Sequence, residues 1–379
     1  MRRFLPFLFS LFFGVSVQSQ WWKVQSSGLD TNLRGVSARY TPDERGVPVP
    51  VVWVSGSNGV ILRSLDLGKT WKRLHVAGGD ALDFRGIVAF NESTAYLMSS
   101  GEGEKSRIYK TTDGGETWKL QYTDKRKEFF LDSIACLSET HCFALGDPLD
   151  GKFLLLNTMD GQHWNPLPNA NMPAALPGEG AFAASNTSLS LCDDDEIYFG
   201  TGGTAARVFH SPDWGRTWTV AETHIAHGKA SAGIFSMIHR YFNDTSQPGA
   251  LLAVGGDYQD PTRDYRVAAY STDKGKTWPL SKQPPGGYRS AVGAFDSFTF
   301  FTVGPNCEEI SRDQGAHWKH TDSLNLNALT FLDEHYGWAV GPNGTIAIFV
   351  NRLQYEIRRR EQDEPGSLRK GRHRGQWLS

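Results

Sequence analysis

The chain has 379 residues and a formal net charge of −2, and it contains 40 glycines and 12 tryptophans but only 5 methionines. The near-neutral charge argues against a dedicated nucleic-acid-binding surface. Frequent glycine turns combined with large flat side chains favour stacked antiparallel sheets over a helical bundle. Because the chain is longer than one ordinary compact core, we expect several domains or a repeat architecture.

The first residues have the pattern of a secretory signal peptide. Arg2 and Arg3 form a positive start, an apolar run covers residues 4–17, and Ser19 ends a small-residue cleavage site. The run is shorter than the roughly 20 residues of a membrane-spanning helix, although an uncleaved anchor is the alternative. We interpret residues 1–19 as a signal peptide and expect a secreted or periplasmic protein with no stable membrane span.

A motif of the form Ser/Thr-x-Asp-x-Gly-x-Thr-Trp recurs every 40 to 60 residues, which is the length of a four-stranded propeller blade. Its first copy runs from Ser64 to Trp71. The copy at Asp160 is one residue shorter, and His317 replaces the threonine in the last copy. The six motif aspartates are Asp66, Asp113, Asp160, Asp213, Asp273 and Asp313.

The motif has the chemistry of a closed turn. Its carboxylate can accept hydrogen bonds from backbone amides ahead of it, its glycine can adopt a positive φ, and its tryptophan can pack between sheets. A reactive or metal-binding site needs its carboxylates to converge, whereas repeated turns spread them around a ring. We therefore interpret the six aspartates as structural.

Seven segments have the pattern of an inner strand, and they begin at Leu33, Phe84, Leu131, Glu179, Ala232, Tyr288 and Leu326. The seventh repeat lacks the motif and its tryptophan, but Trp21-Trp22-Lys23 resembles the strands that follow the other motifs. We predict an all-β protein: a seven-bladed β-propeller of four-stranded antiparallel blades over residues 20–350, closed by the N-terminal strand.

Residues 351–379 change character, because charged residues become frequent and apolar residues sparse. We expect a charged, mobile C-terminal tail. A basic arm that contacts an acidic partner or a membrane is the alternative.

The four cysteines are too few to form the framework of the fold. Cys136 and Cys142 flank a turn and could form a cross-strand disulfide, with a pair of buried thiols as the alternative. Cys192 and Cys307 lie in different repeats and have no evident partner. His239 and the other loop histidines lack a closing fourth ligand, so we predict no metal site.

The motif resembles the bacterial neuraminidase repeat (the Asp box), which sialidases, sortilin-type receptors and other propellers share. The last repeat, from Phe331 to Ile346, together with the copy from Thr111 to Trp118, resembles the photosystem II stability/assembly factor-like propellers. This resemblance covers essentially the whole mature chain and speaks to fold more than to function. No G-x-G-x-x-G turn enters a helix, and we expect no cofactor.

In a propeller, the loops that enter the inner strands lie on the face opposite the box turns. The candidate ligand-binding residues on that channel face are Arg34, Arg85, Asp132, Glu179, Arg289, Asn327, Asp147 and Asp257. Charges of both signs favour a protein segment or a charged or glycan ligand. Mutual pairing that plugs the channel is the alternative.

Two functions follow from these residues. The first is a monomeric binding or assembly scaffold, which is not an enzyme. The alternative is a sialidase-like glycoside hydrolase in which Arg34, Arg85 and Arg289 form an arginine triad and Asp132 and Glu179 supply carboxylates. That family also has an Arg-Ile-Pro segment, which this chain lacks, and shared turns do not imply shared chemistry. We favour the scaffold.

Overall fold

The computed structural model describes residues 21–42, 45–192, 195–240 and 249–349. The expected signal peptide (1–19) and charged tail (351–379) lie outside the described residues. The described chain forms seven antiparallel sheets around a ring, so the predicted seven-bladed propeller is confirmed. Over the same residues, no helix is long and apolar enough to cross a membrane.

The first three blades each contain four strands in chain order from the inside outward. The N-terminal strand β1 (Trp22–Ser26) precedes them. Blade 1 contains β2 (Leu33–Pro42), β3 (Pro48–Gly56), β4 (Ile61–Ser64) and β5 (Lys72–Leu74). Blade 2 contains β6 (Asp83–Ala89), β7 (Ala95–Ser100), a 3-10 turn (Gly103–Lys105), β8 (Arg107–Thr111) and β9 (Lys119–Thr123). Blade 3 contains β10 (Leu131–Cys136), β11 (Cys142–Leu149), β12 (Lys152–Thr158) and β13 (Asn165–Pro166).

Blades 4 and 5 are interleaved along the chain. The short strands are β14 (Glu179–Gly180) and β17 (Gly202–Gly203). Blade 4 contains β15 (Leu189–Cys192), β16 (Glu196–Gly200), β18 (Arg207–Ser211) and β19 (Thr219–Glu222). Blade 5 contains β20 (Lys229–Arg240), β21 (Ala250–Asp257) and β22 (Ala268–Ser271), with β17 and β14 added at its inner edge. Its outer strand is reduced to one bridge between Ala269 and Leu280.

The ring closes at blade 7. Blade 6 contains β23 (Ala291–Ala294), β24 (Phe300–Val303), β25 (Glu308–Ser311) and β26 (Lys319–Asp322). Blade 7 contains β27 (Ala328–Phe331), β28 (Gly337–Val340) and β29 (Thr345–Phe349), and β1 pairs with β29 as its outermost strand. The N-terminal strand thus supplies what the seventh repeat lacks, and the predicted closure is confirmed.

One inner strand was predicted in the wrong place. The segment that begins at Glu179 is not the inner strand of blade 4, which is β15 instead. The residues between them form a loop across the inner edge of blade 3, where the Asn186 side chain bonds both backbone groups of Ile134 (2.8 and 3.0 Å). Asn186 has a φ of 66°, which interrupts the extended chain.

The box turns use their side chains to close themselves. Asp66 Oδ1 accepts the Thr70 N–H (2.9 Å), and its Oδ2 accepts the Thr70 hydroxyl (2.6 Å). The Ser64 hydroxyl donates to Asp66 (2.8 Å) and accepts the N–H of Gly68, whose φ is 79°. The same bonds recur at Asp113, Asp213 and Asp273. A histidine ring replaces the threonine hydroxyl at Asp160 and Asp313.

Seven of the eight hydrophobic clusters among the described residues lie each between two adjacent blades, and the small eighth one contains Ala184, Phe235 and Tyr288. The box tryptophans fill the outer part of these clusters. Trp118 packs edge-on against Trp53 of the preceding blade, with ring centroids 6.1 Å apart, and Trp164 packs in the same way against Tyr96 at 5.7 Å. Each blade therefore buries its faces against its two neighbours rather than against one central core.

A disulfide joins Cys136 and Cys142, which lie directly opposite each other where β10 turns into β11. Cys192 and Cys307 are buried and are not part of this disulfide. The bridge ties a single hairpin, so it supports one blade and does not connect blades.

Removal of the Trp22 side chain from the closing strand should destabilise the folded protein. Trp22 is 1% exposed and contacts Phe349 and Phe301 at 5.5 and 6.4 Å between ring centroids. Trp22→Ala should lower the free energy of unfolding by about 3–5 kcal/mol, measured in urea. Val24→Ala on the same strand removes a side chain that is 46% exposed, and should change it by less than about 0.5 kcal/mol. Equal effects of the two substitutions would contradict the role of Trp22 in closure.

The turn hydrogen bonds should be visible in the titration of a box aspartate. The Thr117 hydroxyl and N–H hold the pKa of Asp113 at about 2, below its ordinary 3.8. A depressed carboxyl stabilises the fold above its unfolded pKa, and this contribution is lost as the pH falls toward 2. Carboxyl NMR titration should give the low value, and Thr117→Val should raise it. An unchanged Asp113 pKa in that variant would contradict the assignment.

Candidate functional site

A cavity of about 540 Å³ lies where the inner strands of the blades begin. We call it the channel pocket and define it by two groups of residues. The polar group is Arg34, Arg85, Asp132, Asp147 and Asn327. The aromatic group is Phe182, Phe235, Tyr258 and Tyr288. The structure therefore brings together five of the eight residues that the sequence placed on the channel face.

β-bulges aim the charged side chains into the channel pocket. The pairing of the inner strand with its neighbour shifts between Leu33 and Gly35 in blade 1, and at the equivalent places in blades 2 and 3. The residues skipped by the shifts are Arg34, Arg85 and Asp132. A bulged residue leaves the regular alternation of the strand and points in a new direction. The same shift in blade 5 skips Phe235.

The two pocket arginines differ in their partners. Arg85 donates from Nε to Asp83 (2.7 Å) and from a terminal nitrogen to the Ala183 carbonyl (3.0 Å). Arg34 has a buried Nε with no hydrogen-bond partner, and it forms no ion pair with any described residue. Burial and the neighbouring Arg85 lower the pKa of Arg34, against the opposing effect of Asp83. A half-buried guanidinium that is not directly paired with a carboxylate favours the binding of an anion.

Two aspartates in the channel pocket have raised pKa values. Asp132 is 1% exposed and its Oδ2 has no hydrogen-bond partner among the described residues. Burial and the nearby Asp147 raise the pKa of Asp132 well above its usual value, against the opposing effect of Arg85. Burial also raises the pKa of Asp147, although the Ala181 N–H bonds its carboxylate (3.0 Å). The environment of the channel pocket therefore disfavours the charged form of both carboxyls.

An aromatic wall completes the channel pocket. Phe182 and Phe235 are stacked, with ring centroids 3.8 Å apart, and Tyr288 meets Phe235 edge-on at 4.8 Å. Tyr258 stands at the rim and is 49% exposed. Sequence reasoning missed all four residues, although three of them lie in or beside the segments predicted as inner strands. Of the four, only Phe235 lies at a bulge of the described strands.

Arg289 does not belong to the channel pocket, and its predicted place was wrong by one residue. Its backbone N–H donates to Gly255 of the preceding blade (2.9 Å), as that of Leu33 donates to Gly341 (3.1 Å). Arg289 therefore occupies the position of a buried leucine, and Ser290 lines the pocket instead. The guanidinium is fully buried and pairs with Glu309 (2.8 Å). The arginine triad expected for a sialidase-like site is not assembled.

Two other predicted site residues are held in ion pairs outside the channel pocket. The Glu179 side chain is fully buried, where it accepts Arg207 Nε (2.8 Å) and the Thr201 hydroxyl (2.6 Å). Asp257 is 3% exposed and pairs with Lys229 at 3.0 Å. Both residues were predicted to bind a ligand because of their places in loops. In the structure, each carboxylate forms an ion pair with a basic residue of another strand.

The channel pocket continues into a second cavity of about 610 Å³. The two share Asp147, Ala181 and Phe182, and β14 forms part of the wall of the second. Asn327 lies at the other side, where its amide donates to Asn32 (2.6 Å) and the Leu33 carbonyl (2.8 Å) across the junction of blades 7 and 1. The site is thus elongated, and the hydrogen bonds of Asn327 lie at one end of it.

The fold and the site together define a seven-bladed propeller with a mixed aromatic and charged pocket on its channel face. No protein-family model matches the chain. Over 72 residues it is 33% identical to the photosystem II assembly lipoprotein Ycf48 of Synechococcus sp. (strain CC9902), a match that covers 19% of this chain. The chain spans about a fifth of the length of this curated relative.

Two solved structures share the fold over most of their length. A structure titled YCF48 bound to D1 peptide matches with a TM-score of 0.60 and 14% identity, covering 88% of this chain and 98% of that one. The structure of YCF48 from Cyanidioschyzon merolae matches with a TM-score of 0.57 and 15% identity, covering 87% and 98%. The chain is therefore similar to photosystem II assembly factor propellers in fold, and over a short stretch in sequence.

The buried Asp132 should oppose folding at neutral pH. Its raised pKa means that the protonated form stabilises the fold below the unfolded pKa, and that this contribution is lost as the pH rises. Asp132→Asn should therefore increase the free energy of unfolding relative to the unsubstituted protein at about pH 7, and the difference should shrink near pH 3. Urea unfolding of both proteins at the two pH values measures this difference in the free energy of unfolding.

Asp257→Asn is the matched control, and we expect it to change the free energy of unfolding in the opposite direction. Although burial opposes it, hydrogen bonds from Ser231 and Lys229 lower the pKa of Asp257. Its carboxylate stabilises the fold above the unfolded pKa, so the substitution should lower stability near pH 7 and have less effect near pH 3. A loss of stability near pH 7 in both variants would contradict the assignment of Asp132.

Proposed function

We propose that the protein is a binding or assembly scaffold that holds an extended segment of a partner protein in the channel pocket. The observation that carries this proposal is Arg34, a half-buried arginine that forms no ion pair with any described residue and lies at the mouth of a cavity of about 540 Å³. An unpaired guanidinium gains most from a carboxylate supplied by a ligand.

The other walls of the channel pocket narrow the chemistry of the ligand. The stack of Phe182 and Phe235 offers an apolar surface beside the arginines, and aromatic and arginine side chains dominate the energetics of protein-binding sites. The raised pKa values of Asp132 and Asp147 limit repulsion of an anion. We infer a segment that combines a carboxylate with apolar side chains.

The shape of the site favours an extended segment over a small molecule. The adjoining cavity of about 610 Å³ continues the channel pocket along β14. An extended peptide can place alternate side chains in successive pockets. One solved structure of this fold is titled YCF48 bound to D1 peptide, which supports a peptide as the ligand here.

We also propose that the protein works outside the cytoplasm. The arginines and apolar run of residues 1–19 support export, and the disulfide between Cys136 and Cys142 is typical of an oxidising compartment. The curated relative is named a lipoprotein, which agrees with this location. The pairing of β1 with β29 completes blade 7 within one chain. We therefore propose that the protein is a monomer.

Peptide binding tests the scaffold. The probes are fluorescent 12-residue peptides that combine acidic and apolar residues, each made with a free C-terminal carboxylate and as the C-terminal amide. Binding is measured by fluorescence anisotropy. Arg34→Gln should weaken the best peptide roughly 10- to 100-fold, because a charge-assisted hydrogen bond is worth about 1.5–3 kcal/mol.

Arg216→Gln is the matched control, since this exposed arginine belongs to the box turn of blade 4 on the opposite face. It should leave the affinity unchanged. The proposal fails if no peptide of the set binds the unsubstituted protein, or if Arg34→Gln binds as tightly as the control.

One observation keeps a hydrolase as the second candidate. Asp132 and Asp147 are neighbouring carboxyls with raised pKa values in an open cavity that also holds arginines, and paired carboxyls can serve as general acid and base. A panel of arylglycosides tests it. Hydrolysis that is lost in Asp132→Ala would establish the enzyme and overturn the scaffold, whereas no hydrolysis removes this candidate.

A further inference from the structure

A second cluster of chemically active side chains lies away from the channel pocket, between blades 4 and 5. It consists of Cys192, Glu196 and His239. Cys192 and Glu196 are buried and His239 is partly buried. One atom from each residue, a sulfur, a carboxylate oxygen and a ring nitrogen, lies within 4.8 Å of the other two.

Strand pairing explains the convergence. Cys192 ends β15 and Glu196 begins β16, and the two residues are directly opposite in the register of these strands. His239 comes from β20, the inner strand of the next blade, and its Nδ1 contacts Cys192 Sγ. From the sequence alone, His239 is expected to be an isolated loop residue. It lies in a strand instead, 47 residues from the cysteine that it contacts.

We propose that Cys192, Glu196 and His239 form a binding site for a divalent metal ion of the zinc class. Thiolate, imidazole and carboxylate are the three ligand types that Zn²⁺ takes in proteins. Ligand atoms about 2.0–2.3 Å from a tetrahedral ion lie about 3.3–3.8 Å apart. The three atoms here all lie within 4.8 Å of one another, so small side-chain rotations would place them around one ion. This site departs from the sequence-based expectation that the protein has no metal site.

Two side chains beside Glu196 are placed where they could orient it as a metal ligand. The Tyr198 hydroxyl donates to Glu196 Oε2 (3.1 Å), and His210 Nε2 lies 3.5 Å from Oε1. The Tyr198 and His210 rings are stacked with centroids 4.1 Å apart, which fixes both against blade 4. Residues behind a metal ligand commonly orient it in this way. With three protein ligands, a tetrahedral ion keeps one position for water or another ligand.

The site would connect two blades on the face of the box turns. Cys192 and Glu196 belong to blade 4 and His239 to blade 5, whereas the disulfide of Cys136 and Cys142 stays within blade 3. A bound ion is thus a cross-link between sheets that otherwise meet through side-chain packing. Because it binds the folded state and not the unfolded chain, the ion should raise the unfolding temperature.

Cobalt binding to the metal-free protein tests the site. Co²⁺ replaces Zn²⁺ in such sites, and a bound thiolate gives a charge-transfer band in the near ultraviolet together with visible bands of tetrahedral Co²⁺. We expect these bands at one ion per chain, their displacement by Zn²⁺, and a higher unfolding temperature with Zn²⁺. Cys192→Ser and His239→Ala should each weaken Zn²⁺ binding by at least about 100-fold, since even outer-shell changes cost about 10- to 100-fold.

Cys307→Ser is the matched control. The chain has four cysteines, two of them bonded to each other, so the thiolate must come from Cys192 or Cys307. The control variant should keep the cobalt bands. The absence of a thiolate band in the unsubstituted protein overturns the proposal and leaves a simple thiol–imidazole contact. Loss of the band in Cys307→Ser, or its retention in Cys192→Ser, overturns it as well. The spectrum of the unsubstituted protein and of Cys307→Ser decides the question even if Cys192→Ser does not fold.

Discussion

The pairing of β1 with β29 is the constraint on which the rest of the structure depends. Each blade buries its faces only against its neighbours, so an open chain of blades would leave two apolar faces in water. Trp22 of the closing strand packs between blades 6 and 7, against Phe301 and Phe349. The junction of blades 7 and 1 is filled by a separate cluster that includes Leu33, Trp338 and Ile346. Closure also forces seven inner strands to begin around one axis. A pocket at that axis is a geometric consequence of the ring, whatever side chains line it.

The charged residues predicted for the channel face show both outcomes that buried charges allow. Arg289 with Glu309 and Glu179 with Arg207 are paired and buried outside the channel pocket. Among the described residues, by contrast, Arg34 forms no ion pair and Asp132 Oδ2 has no hydrogen-bond partner. Burial of an unpaired charge is costly. The cost is concentrated at one opening of the channel, where a ligand could offset it, and that asymmetry is the main physical reason to place the function there.

The repeat made the fold predictable, and the departures from the repeat made the site hard to predict. A box motif fixes a turn within eight residues, and the unmatched seventh repeat pointed to the Trp21-Trp22 segment. The place of Arg289 was mispredicted by a single residue of strand register. Arg34 is the bulged residue of blade 1 and points into the pocket, whereas Arg289 has in blade 6 the position that Leu33 has in blade 1. Nothing local in the sequence marks a bulge of this kind.

Contacts between blades were beyond sequence reasoning for a related reason. His239 and Cys192 lie in different repeats, and only the packing angle of two sheets brings them together. The same packing holds the loop of Asn186 across blade 3 and so displaces Glu179 from the predicted inner strand. Both errors concern blades 4 and 5, where β14 and β17 interrupt the simple order of four strands per blade. The irregular part of the ring thus carries the second cavity beside the channel pocket on one face and the Cys192 cluster between its blades, as expected if departures from an ideal repeat are kept where a specific site requires them.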